Sequence, residues 1–348
     1  MLYNIGTRVY FSALKLAAAF GHRKAKQMEE GRRNWASVLS EKMKPLAGNK
    51  VVWFHAASLG EFEQGRPLIE ALREKYPEYR ILQTFFSPSG YEVRKNYKGA
   101  DVICYLPYDK PDECRRFLDI AHPDLAIIVK YEFWGNILEE AHRRQIPTYL
   151  VSGIFRPRQA FFKWYGGLLR PVLGCFDHLF VQDEESRQLL AGLGLKNVTI
   201  CGDTRFDRVI AIQQQAKEFP WAKKFADSAN FVMVAGSSWP KDEDILLEHF
   251  NNHPEMKLII APHEIHEEHV QSILSKIKRP VMRYSQLVES KVTEVDCLII
   301  DAIGFLSGIY RYGQVAYIGG GFGVGIHNTL EAAVYGIPVI FGPNHQAF

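Results

Sequence analysis

The sequence predicts an α/β protein built from two doubly wound domains, each with a parallel sheet. Three observations support this fold class: the chain length, an alternation of short apolar runs with amphipathic stretches, and a break in that alternation past the middle of the chain. At 348 residues the chain exceeds the roughly 250–300 residues at which a single hydrophobic core stops growing. Two domains are therefore expected.

The first half alternates strand-like and helix-like segments. Short runs rich in β-branched and apolar residues predict strands at Val51–His55, Arg80–Phe85, Asp101–Tyr105, Leu125–Val129, Thr148–Val151, His178–Val181 and Asn197–Ile200. Amphipathic stretches between them predict helices at Glu63–Lys75, Tyr91–Asn96, Pro111–Ala121, Asn136–Arg144 and Glu185–Leu193. Strand, helix and strand at this spacing indicate a parallel sheet with right-handed crossovers.

The alternation stops around Val209–Ala226, which has three consecutive glutamines and a Pro-Trp pair but no strand pattern. It restarts with strands predicted at Phe231–Ala235, Lys257–Ala261, Pro280–Arg283, Cys297–Asp301 and Gln314–Ile318. We therefore predict an N-terminal helix over 1–26, a first domain over 27–208, a linker over 209–226 and a second domain over 227–348.

The N-terminal segment is apolar, but Arg8 and Lys15 interrupt it, which makes it a poor spanning helix. At helical spacing one face is apolar and another is polar, and a basic stretch follows at 22–26. The apolar face comprises Leu2, Ile5, Val9, Ala13, Leu16 and Phe20. This pattern predicts a helix lying in the headgroups of an anionic membrane surface. The alternative, a first helix packed on the domain core, stays open.

Composition excludes several classes of protein. The net charge of +3 is too small for a protein whose main partner is a nucleic acid. The five cysteines are scattered and form no C-x-x-C pair, which argues against a disulfide framework or a zinc ribbon and favours a reducing compartment.

Ligands of open parallel sheets bind at the carboxyl ends of the strands, so the loops after strands are the candidate sites. After the first predicted strand, Ser58 and Glu61 have the spacing of a capping box. Glu61 could satisfy the backbone amide of Ser58, or it could act as a general base beside Gly60. The two interpretations are equally favoured by the pattern.

Two further loops of the first domain are candidates. Ser87 precedes Pro88 and Ser89 at a predicted helix start, a pattern that leaves backbone amides available for an anion. Lys130 and Glu132 follow a very apolar strand, where a buried salt bridge would explain them as well as substrate contact does.

In the second domain, Gly236 and Ser237 follow a strand and precede a helix, which suits a phosphate. A glycine-dense turn over 319–325 permits close approach of a ligand to the backbone. It matches neither the dinucleotide fingerprint nor a Walker loop, so dehydrogenase and NTPase functions are disfavoured. Asn328 and Glu331 repeat the capping-box spacing; Glu331 could instead accept hydrogen bonds from a ribose.

The histidine-rich stretch 263–269 does not predict a metal site. His263 and His266 are three residues apart, whereas the zincin pattern needs histidines four apart around a glutamate, and cysteine ligands are absent there.

The ordered motifs of the chain resemble those of the bacterial 3-deoxy-D-manno-octulosonic acid (Kdo) transferases of the lipid A pathway. The motifs are H-A-A-S-L-G-E, F-S-P-S-G, Y-E-F-W-G-N, G-D-T-R-F-D, A-G-S-S-W, A-P-H-E and G-G-G-F-G-V-G-I-H-N-T-L-E-A-A-V-Y-G-I-P-V-I-F-G-P. The resemblance runs from the N-terminal helix to Phe348 and implies the two-domain GT-B fold, with Rossmann-like domains facing across a cleft.

The resemblance also implies a reaction and a location. Kdo would pass from CMP-Kdo to a lipid A precursor with inversion, without a cofactor or catalytic metal and without nucleic acid. The enzyme would sit on the cytoplasmic side of the cell inner membrane, attached peripherally or by a single N-terminal anchor. Domain 27–208 would bind the acceptor and domain 227–348 would bind CMP-Kdo.

Matching the family motifs residue by residue gives the expected site. Glu61 would be the catalytic base. The acceptor-binding residues would be Ser58, Gly60, Ser87, Ser89 and Glu132. The donor-binding residues would be Arg205, Gly236, Ser237, Pro262, His263, Gly320, Gly321, Asn328 and Glu331.

The chain departs from the family pattern at several positions. His263 stands where many members have arginine, Lys130 where many have glutamate, and Trp239 where many have histidine. Members also continue past the position of Phe348, so the second domain is expected to be truncated. The alternatives are another GT-B protein, such as a nucleotide-sugar epimerase, or a non-catalytic nucleotide-sugar-binding or membrane-scaffold protein.

Overall fold

The computed structural model describes residues 2–323 and 325–345. The chain divides into two compact units, Met1–Arg205 and Phe206–Phe348, called the first unit and the second unit below.

The first unit alternates strands with helices. Its strands are β1 (Val51–Ala56), β2 (Arg80–Phe85), β3 (Val102–Tyr105), β4 (Leu125–Val129), β5 (Thr148–Gly153), β6 (His178–Val181) and β7 (Val198–Ile200). Its helices are α1 (Leu2–Ala19), α2 (Arg23–Gly31), α3 (Trp35–Met43), α4 (Leu59–Lys75), α5 (Pro88–Arg94), α6 (Pro111–Ala121), α7 (Gly135–Arg143), α8 (Arg170–Leu173) and α9 (Glu184–Ala191).

Among the described residues these strands form one parallel sheet in the order β3-β2-β1-β4-β5-β6-β7. The central strand β1 is buried along its whole length, as expected where helices cover both faces of a sheet. Because side chains alternate along a strand, Trp53 enters the core on one face while Val52 and Phe54 enter the core on the other. The α/β prediction is confirmed for this unit.

The second unit repeats the pattern. Its strands are β8 (Phe231–Ser238), β9 (Met256–Pro262), β10 (Val281–Arg283), β11 (Cys297–Ile299), β12 (Val315–Ile318) and β13 (Val339–Phe341). Its helices are α11 (Pro220–Asp227), α12 (Pro240–Asn252), α13 (Glu267–Lys276), α14 (Leu306–Ile309) and α15 (Leu330–Ala333), and α10 (Thr204–Gln215) spans the boundary between the units. In the described part of the chain the strand order is β10-β11-β9-β8-β12-β13, again parallel.

The segment predicted as a linker over 209–226 is largely helical. It holds most of α10 and α11, and the buried residues Trp221 and Phe225 place α11 in the core of the second unit. Apolar residues at positions 221, 222 and 225 follow helical spacing, which explains why this segment folds onto the sheet.

Helix α1 packs on the first unit through a face different from its predicted apolar face. The Tyr3 hydroxyl donates a hydrogen bond to the buried Asp109 carboxylate at 2.6 Å and accepts one from the Gly135 amide at 2.7 Å. Phe11 is buried and stacks on Tyr108 with ring centroids 4.4 Å apart.

The predicted apolar face of α1 stays exposed. Leu2, Val9, Leu16 and Phe20 are between 60% and 84% exposed. Across residues 2–323 and 325–345, no helix is both long enough and apolar enough to cross a lipid bilayer. The helix thus packs on the unit, as the alternative interpretation holds, and keeps an apolar stripe in solvent.

Candidate functional sites at the strand ends

The strand order of the first sheet reverses between β1 and β4, which is where ligands of doubly wound sheets bind. The loops after β1, β2 and β4 carry the acceptor residues expected from the sequence. Ser58, Gly60 and Glu61 follow β1, Ser87 and Ser89 follow β2, and Glu132 follows β4. The sheet therefore brings these residues to one edge.

Glu61 lies in the first turn of α4 and is partly buried. The capping box is not formed, because the Ser58 side chain accepts no bond from the helix backbone. Instead the Ser58 hydroxyl is the group that donates a hydrogen bond to the Glu61 carboxylate among the described residues. Gly60 is exposed, and a Cβ there would lie 3.9 Å from Ser58 Oγ. Glu61 is thus not tied to the backbone amide of Ser58.

The turn after β2 is closed by its own side chains. Ser87 is the N-cap of α5 and Pro88 occupies the first turn, as predicted. The expectation of unpaired amides is wrong: the Ser89 amide donates to Ser87 Oγ at 3.4 Å and the Gly90 amide to the Ser87 carbonyl at 3.3 Å. Ser89 is exposed, and its hydroxyl lies 3.0 Å from that of Ser87.

Lys130 and Glu132 do not pair with each other. Lys130 has a left-handed backbone with φ of 67°, which is strained for a residue with a side chain. Burial lowers the pKa of Lys130, an effect that the nearby Glu61 opposes and Arg205 reinforces. The ammonium group therefore belongs to a charged cluster with Glu61, Asp203 and Arg205.

Glu132 ends a buried polar chain. Its carboxylate contacts His55 Nε2 at 3.1 Å and accepts from Trp134 Nε1 at 2.6 Å. His55 Nδ1 lies 2.8 Å from Thr84 Oγ1. Since an ionised carboxylate only accepts, His55 Nε2 carries the proton of this bond. This chain fixes the orientation of Glu132.

Arg205, the donor-binding residue predicted within 27–208, is the last residue of the first unit. It is 46% exposed and binds the Asp203 carboxylate through Nε at 2.8 Å. The Asp203 carboxylate also accepts the Arg205 amide at 2.9 Å, which holds this arginine at the start of α10.

In the second sheet the order reverses at β8 and β12, and the end of β8 meets the turn after β12. Gly236 and Ser237, predicted to follow the strand, are part of β8, because the strand continues to Ser238. Tyr310 packs closely on Gly236, and its hydroxyl oxygen would lie 1.9 Å from a Cβ at position 236. Gly319 donates to the Gly236 carbonyl at 2.9 Å, and a Cβ on Gly319 would lie 2.1 Å from the Ser237 carbonyl oxygen. Ser237, like Lys130, has a positive φ, of 51°.

The glycine-dense turn is packed against the protein itself. The Gly320 amide donates to the buried Asp242 carboxylate at 2.9 Å, and Gly321 is buried against Gly342. Packing of backbone on backbone therefore accounts for these glycines without a ligand.

Three rings stack beside this turn. His263 follows Pro262 at the end of β9, and its ring lies 4.7 Å from that of Trp239 and 4.6 Å from that of His327. Trp239 Nε1 donates to His327 Nε2 at 3.0 Å, so His327 is neutral there. His263 is exposed, whereas His327 is partly buried.

Asn328 and Glu331 form a side-chain pair at the start of α15. Asn328 Nδ2 donates to Glu331 Oε1 at 3.0 Å, and the Leu330 amide donates to Asn328 Oδ1 at 3.1 Å. The predicted bond from Glu331 to the Asn328 backbone is replaced by this side-chain bond.

Glu264, His266 and His269 come close enough to share an ion. However, both His269 nitrogens are engaged, Nε2 with Glu243 at 2.8 Å and Nδ1 with the Glu264 carbonyl at 2.9 Å. A metal would have to displace a buried hydrogen bond, so the residues present do not favour a metal site.

Several residues at these edges were missed by sequence reasoning. The signal for His55 and Thr84 was available, since both are polar residues inside otherwise apolar strands. His327 carried no comparable signal, because its partner Trp239 is 88 positions away along the chain. Asp242 caps α12 by accepting from the Trp239 amide, but its bond from the Tyr317 hydroxyl spans 75 positions.

Residues 24–208, which include most of the first unit, match the family model "3-Deoxy-D-manno-octulosonic-acid transferase (kdotransferase)". A 3-deoxy-D-manno-octulosonic acid transferase of Aquifex aeolicus is 31% identical over 84% of this chain and 76% of its own length. Another, from Chlamydia trachomatis serovar D, is 30% identical over 84% of this chain and 70% of its own.

Among solved structures, the UDP-GlcNAc 2-epimerase from Neisseria meningitidis bound to UDP-GlcNAc aligns with a TM-score of 0.53 at 14% identity, over 83% of this chain and 81% of that one. At this identity the likeness shows the fold alone. Because the family model covers more than half of the chain and a transferase with 31% identity aligns across 84% of it, this protein belongs to the 3-deoxy-D-manno-octulosonic acid transferase family and is a glycosyltransferase.

Proposed function

We propose that this protein is an inverting transferase that moves Kdo from CMP-Kdo to a lipid A precursor in lipopolysaccharide biosynthesis, with Glu61 as general base. The observation that carries the proposal is the position of Glu61 in the first turn of α4, after the central strand β1, with a side-chain donor instead of the Ser58 amide as its partner. The proposal includes the GT-B arrangement, with acceptor in the first unit and donor in the second.

In the proposed reaction the Glu61 carboxylate takes the proton of an acceptor hydroxyl. The acceptor oxygen bonds to the anomeric carbon of Kdo from the face opposite the leaving group, and the bond from that carbon to the CMP phosphate breaks. CMP leaves with the electron pair, and inversion follows from the single displacement.

Lys130 lies close enough to Glu61 for their charges to interact. Burial lowers the pKa of Lys130, so the lysine's own proton is held less tightly than that of an exposed lysine. Ser58, Gly60, Ser87, Ser89 and Glu132 would surround the acceptor, and Arg205 would meet the anionic donor.

In the second unit we assign the donor to the end of β8 and to the loops after β9 and β12. The exposed ring of His263 offers a surface for stacking or for an anion. Ser237 would contact the phosphate, and the carboxylate of Glu331, paired with Asn328, would accept from the ribose. Gly236, Pro262, Gly320 and Gly321 would shape this site.

We also propose peripheral attachment to the cytoplasmic face of the inner membrane through α1. The exposed apolar stripe and the basic residues that follow it, Arg23, Lys24 and Lys26, have the composition of an interfacial helix.

The test compares Glu61→Gln with Glu70→Gln, a change of the same chemistry at an exposed position of the same helix. Transfer of Kdo to the lipid acceptor, measured from CMP-Kdo generated in the assay, should fall by about 10²–10⁴-fold in Glu61→Gln. Glu70→Gln should retain wild-type transfer, and CMP affinity should be equal in all three proteins. Turnover by Glu61→Gln within threefold of wild type contradicts the assignment of the base.

A further inference from the structure

A cavity of about 440 Å³ lies between α1 and the loop that follows β4. The helix contributes Tyr3, Gly6, Thr7 and Tyr10, and the loop contributes Tyr131, Glu132, Phe133 and Trp134. Aromatic rings dominate this lining. The cavity therefore adjoins one of the proposed acceptor residues, Glu132.

The polar groups of the inner wall already have protein partners. The Tyr3 hydroxyl is bonded to Asp109 and Gly135, the Thr7 hydroxyl donates to the Asn4 carbonyl at 3.2 Å, and the Glu132 carboxylate is held by His55 and Trp134. An apolar occupant would therefore leave none of these three groups without a hydrogen bond. The hydroxyls of Tyr10 and Tyr131 belong to rings that are 46% and 42% exposed, at the mouth.

The cavity opens onto the exposed apolar stripe of α1. Successive residues of an α-helix are rotated by about 100°, so Gly6 and Tyr10 lie on the flank between the docked residues Tyr3 and Phe11 and the stripe of Leu2 and Val9. An apolar chain lying against the stripe could enter past Gly6 without crossing a charged group of the helix.

A second cavity, of about 350 Å³, continues along the same flank and shares Tyr10. From the helix it is lined by Tyr10, Leu14 and Ala17, and it reaches Ser87, another proposed acceptor residue. With a rise of 1.5 Å per residue, the flank from Gly6 to Ala17 is about 16 Å long. Both cavities thus run from α1 toward residues proposed to bind the acceptor.

We propose that the cavity lined by Gly6 and Trp134 holds an acyl chain of the lipid acceptor, so that α1 is a wall of the acceptor site as well as a membrane contact. This inference rests on the proposed function, which supplies the lipid acceptor. It assigns recognition of the acyl chain to residues that are separate from the base and from the donor loops.

Gly6 allows the cavity to be filled without disturbing the helix. A Cβ at Gly6 would meet no atom within 4 Å, so a larger side chain has space. Gly6→Phe places a ring in the cavity. Ser12→Phe is the matched control, since it adds the same ring to an exposed position of α1 that lies outside the apolar stripe and lines neither cavity.

Each protein is assayed with the lipid A precursor and with the same headgroup after removal of its acyl chains. We expect Gly6→Phe to raise KM for the acylated acceptor by about tenfold or more and to leave kcat/KM for the deacylated acceptor unchanged. Ser12→Phe should match wild type with both. Equal changes for the two acceptors in Gly6→Phe, or no change with either, overturn the inference.

A binding measurement separates this inference from the proposed function. Trp134 lines the cavity, so a bromine atom on an acyl chain of the acceptor should quench its fluorescence, and Trp134→Phe identifies that part of the signal. Quenching in wild type that is lost in Gly6→Phe supports the acyl site even if no Kdo is transferred, in which case the proposed function fails alone. Transfer without quenching of Trp134 overturns the acyl site alone.

Discussion

At the scale of single residues, Glu61 and Glu331 share one feature: each carboxylate accepts from the side chain three positions earlier. A side-chain donor can change rotamer, whereas a backbone amide is fixed by the helix. Either carboxylate could therefore turn toward a substrate without loss of the helix start. Lys130 beside the first sheet and Ser237 in the second sheet have a left-handed backbone, which stores strain near both candidate sites.

His327 is expected to make the fold sensitive to acid. Burial, with a contribution from His263, lowers the pKa of His327 below its ordinary value of 6.5. Just below that value the unfolded chain binds more protons than the folded one, so stability falls as the pH drops. Urea unfolding at about pH 7.5 and 5.5 should show a smaller loss for His327→Gln than for wild type. An identical loss in both proteins contradicts this prediction.

At the scale of elements, apolar pattern decided what could be predicted. The strands Leu125–Val129 and His178–Val181 were predicted to the residue, because each is a short apolar run bounded by polar residues. Helices α2 and α3 were not predicted, since both are short and α2 is mostly charged. The strand edge of the site was predictable from topology, but the partners were not, because His55 and Glu132 are 77 positions apart.

The Tyr3 hydroxyl contributes to the docking of α1 beside the buried Phe11. Tyr3→Phe removes the bond to Asp109 and leaves the Gly135 amide unpaired, which should cost about 1–2 kcal/mol in the docking of the helix. Because Arg8 and Lys15 are exposed on α1, trypsin should cleave there roughly 5–30 times faster in this variant. Tyr10→Phe, which adds or removes no hydrogen bond among the described residues, should be cleaved at the wild-type rate. Equal rates for Tyr3→Phe and wild type would rule out this anchoring role.

At the scale of the whole molecule, each unit has its own cores around its own sheet, and none of the cysteines is in a disulfide. The two-sheet organisation was predictable from length and alternation. The helical nature of 209–226 was missed, because three consecutive glutamines and a Pro-Trp pair interrupt its apolar pattern.

Thiol reactivity should report the integrity of these cores. Cys201 is exposed, whereas Cys114, Cys175 and Cys297 are buried. Burial raises the pKa of Cys104 to about 12 and that of Cys175 to about 11, so neither ionises near neutral pH. Ellman's reagent at about pH 8 should therefore titrate one thiol rapidly, that thiol should disappear in Cys201→Ser, and the remaining four should react only after unfolding. Rapid reaction of two or more thiols in the native protein would contradict the packing.

The docking of α1 has a consequence for the order of synthesis on the ribosome. Tyr3 emerges early, but the Gly135 amide that it binds lies 132 positions later in the chain. At elongation rates of about 5–20 residues per second, on the order of ten seconds separate the synthesis of Tyr3 from the synthesis of Gly135, on which the helix docks. During that interval both the docked face and the apolar stripe are uncovered, so the nascent helix can meet a bilayer or a chaperone before the domain to which it belongs has folded.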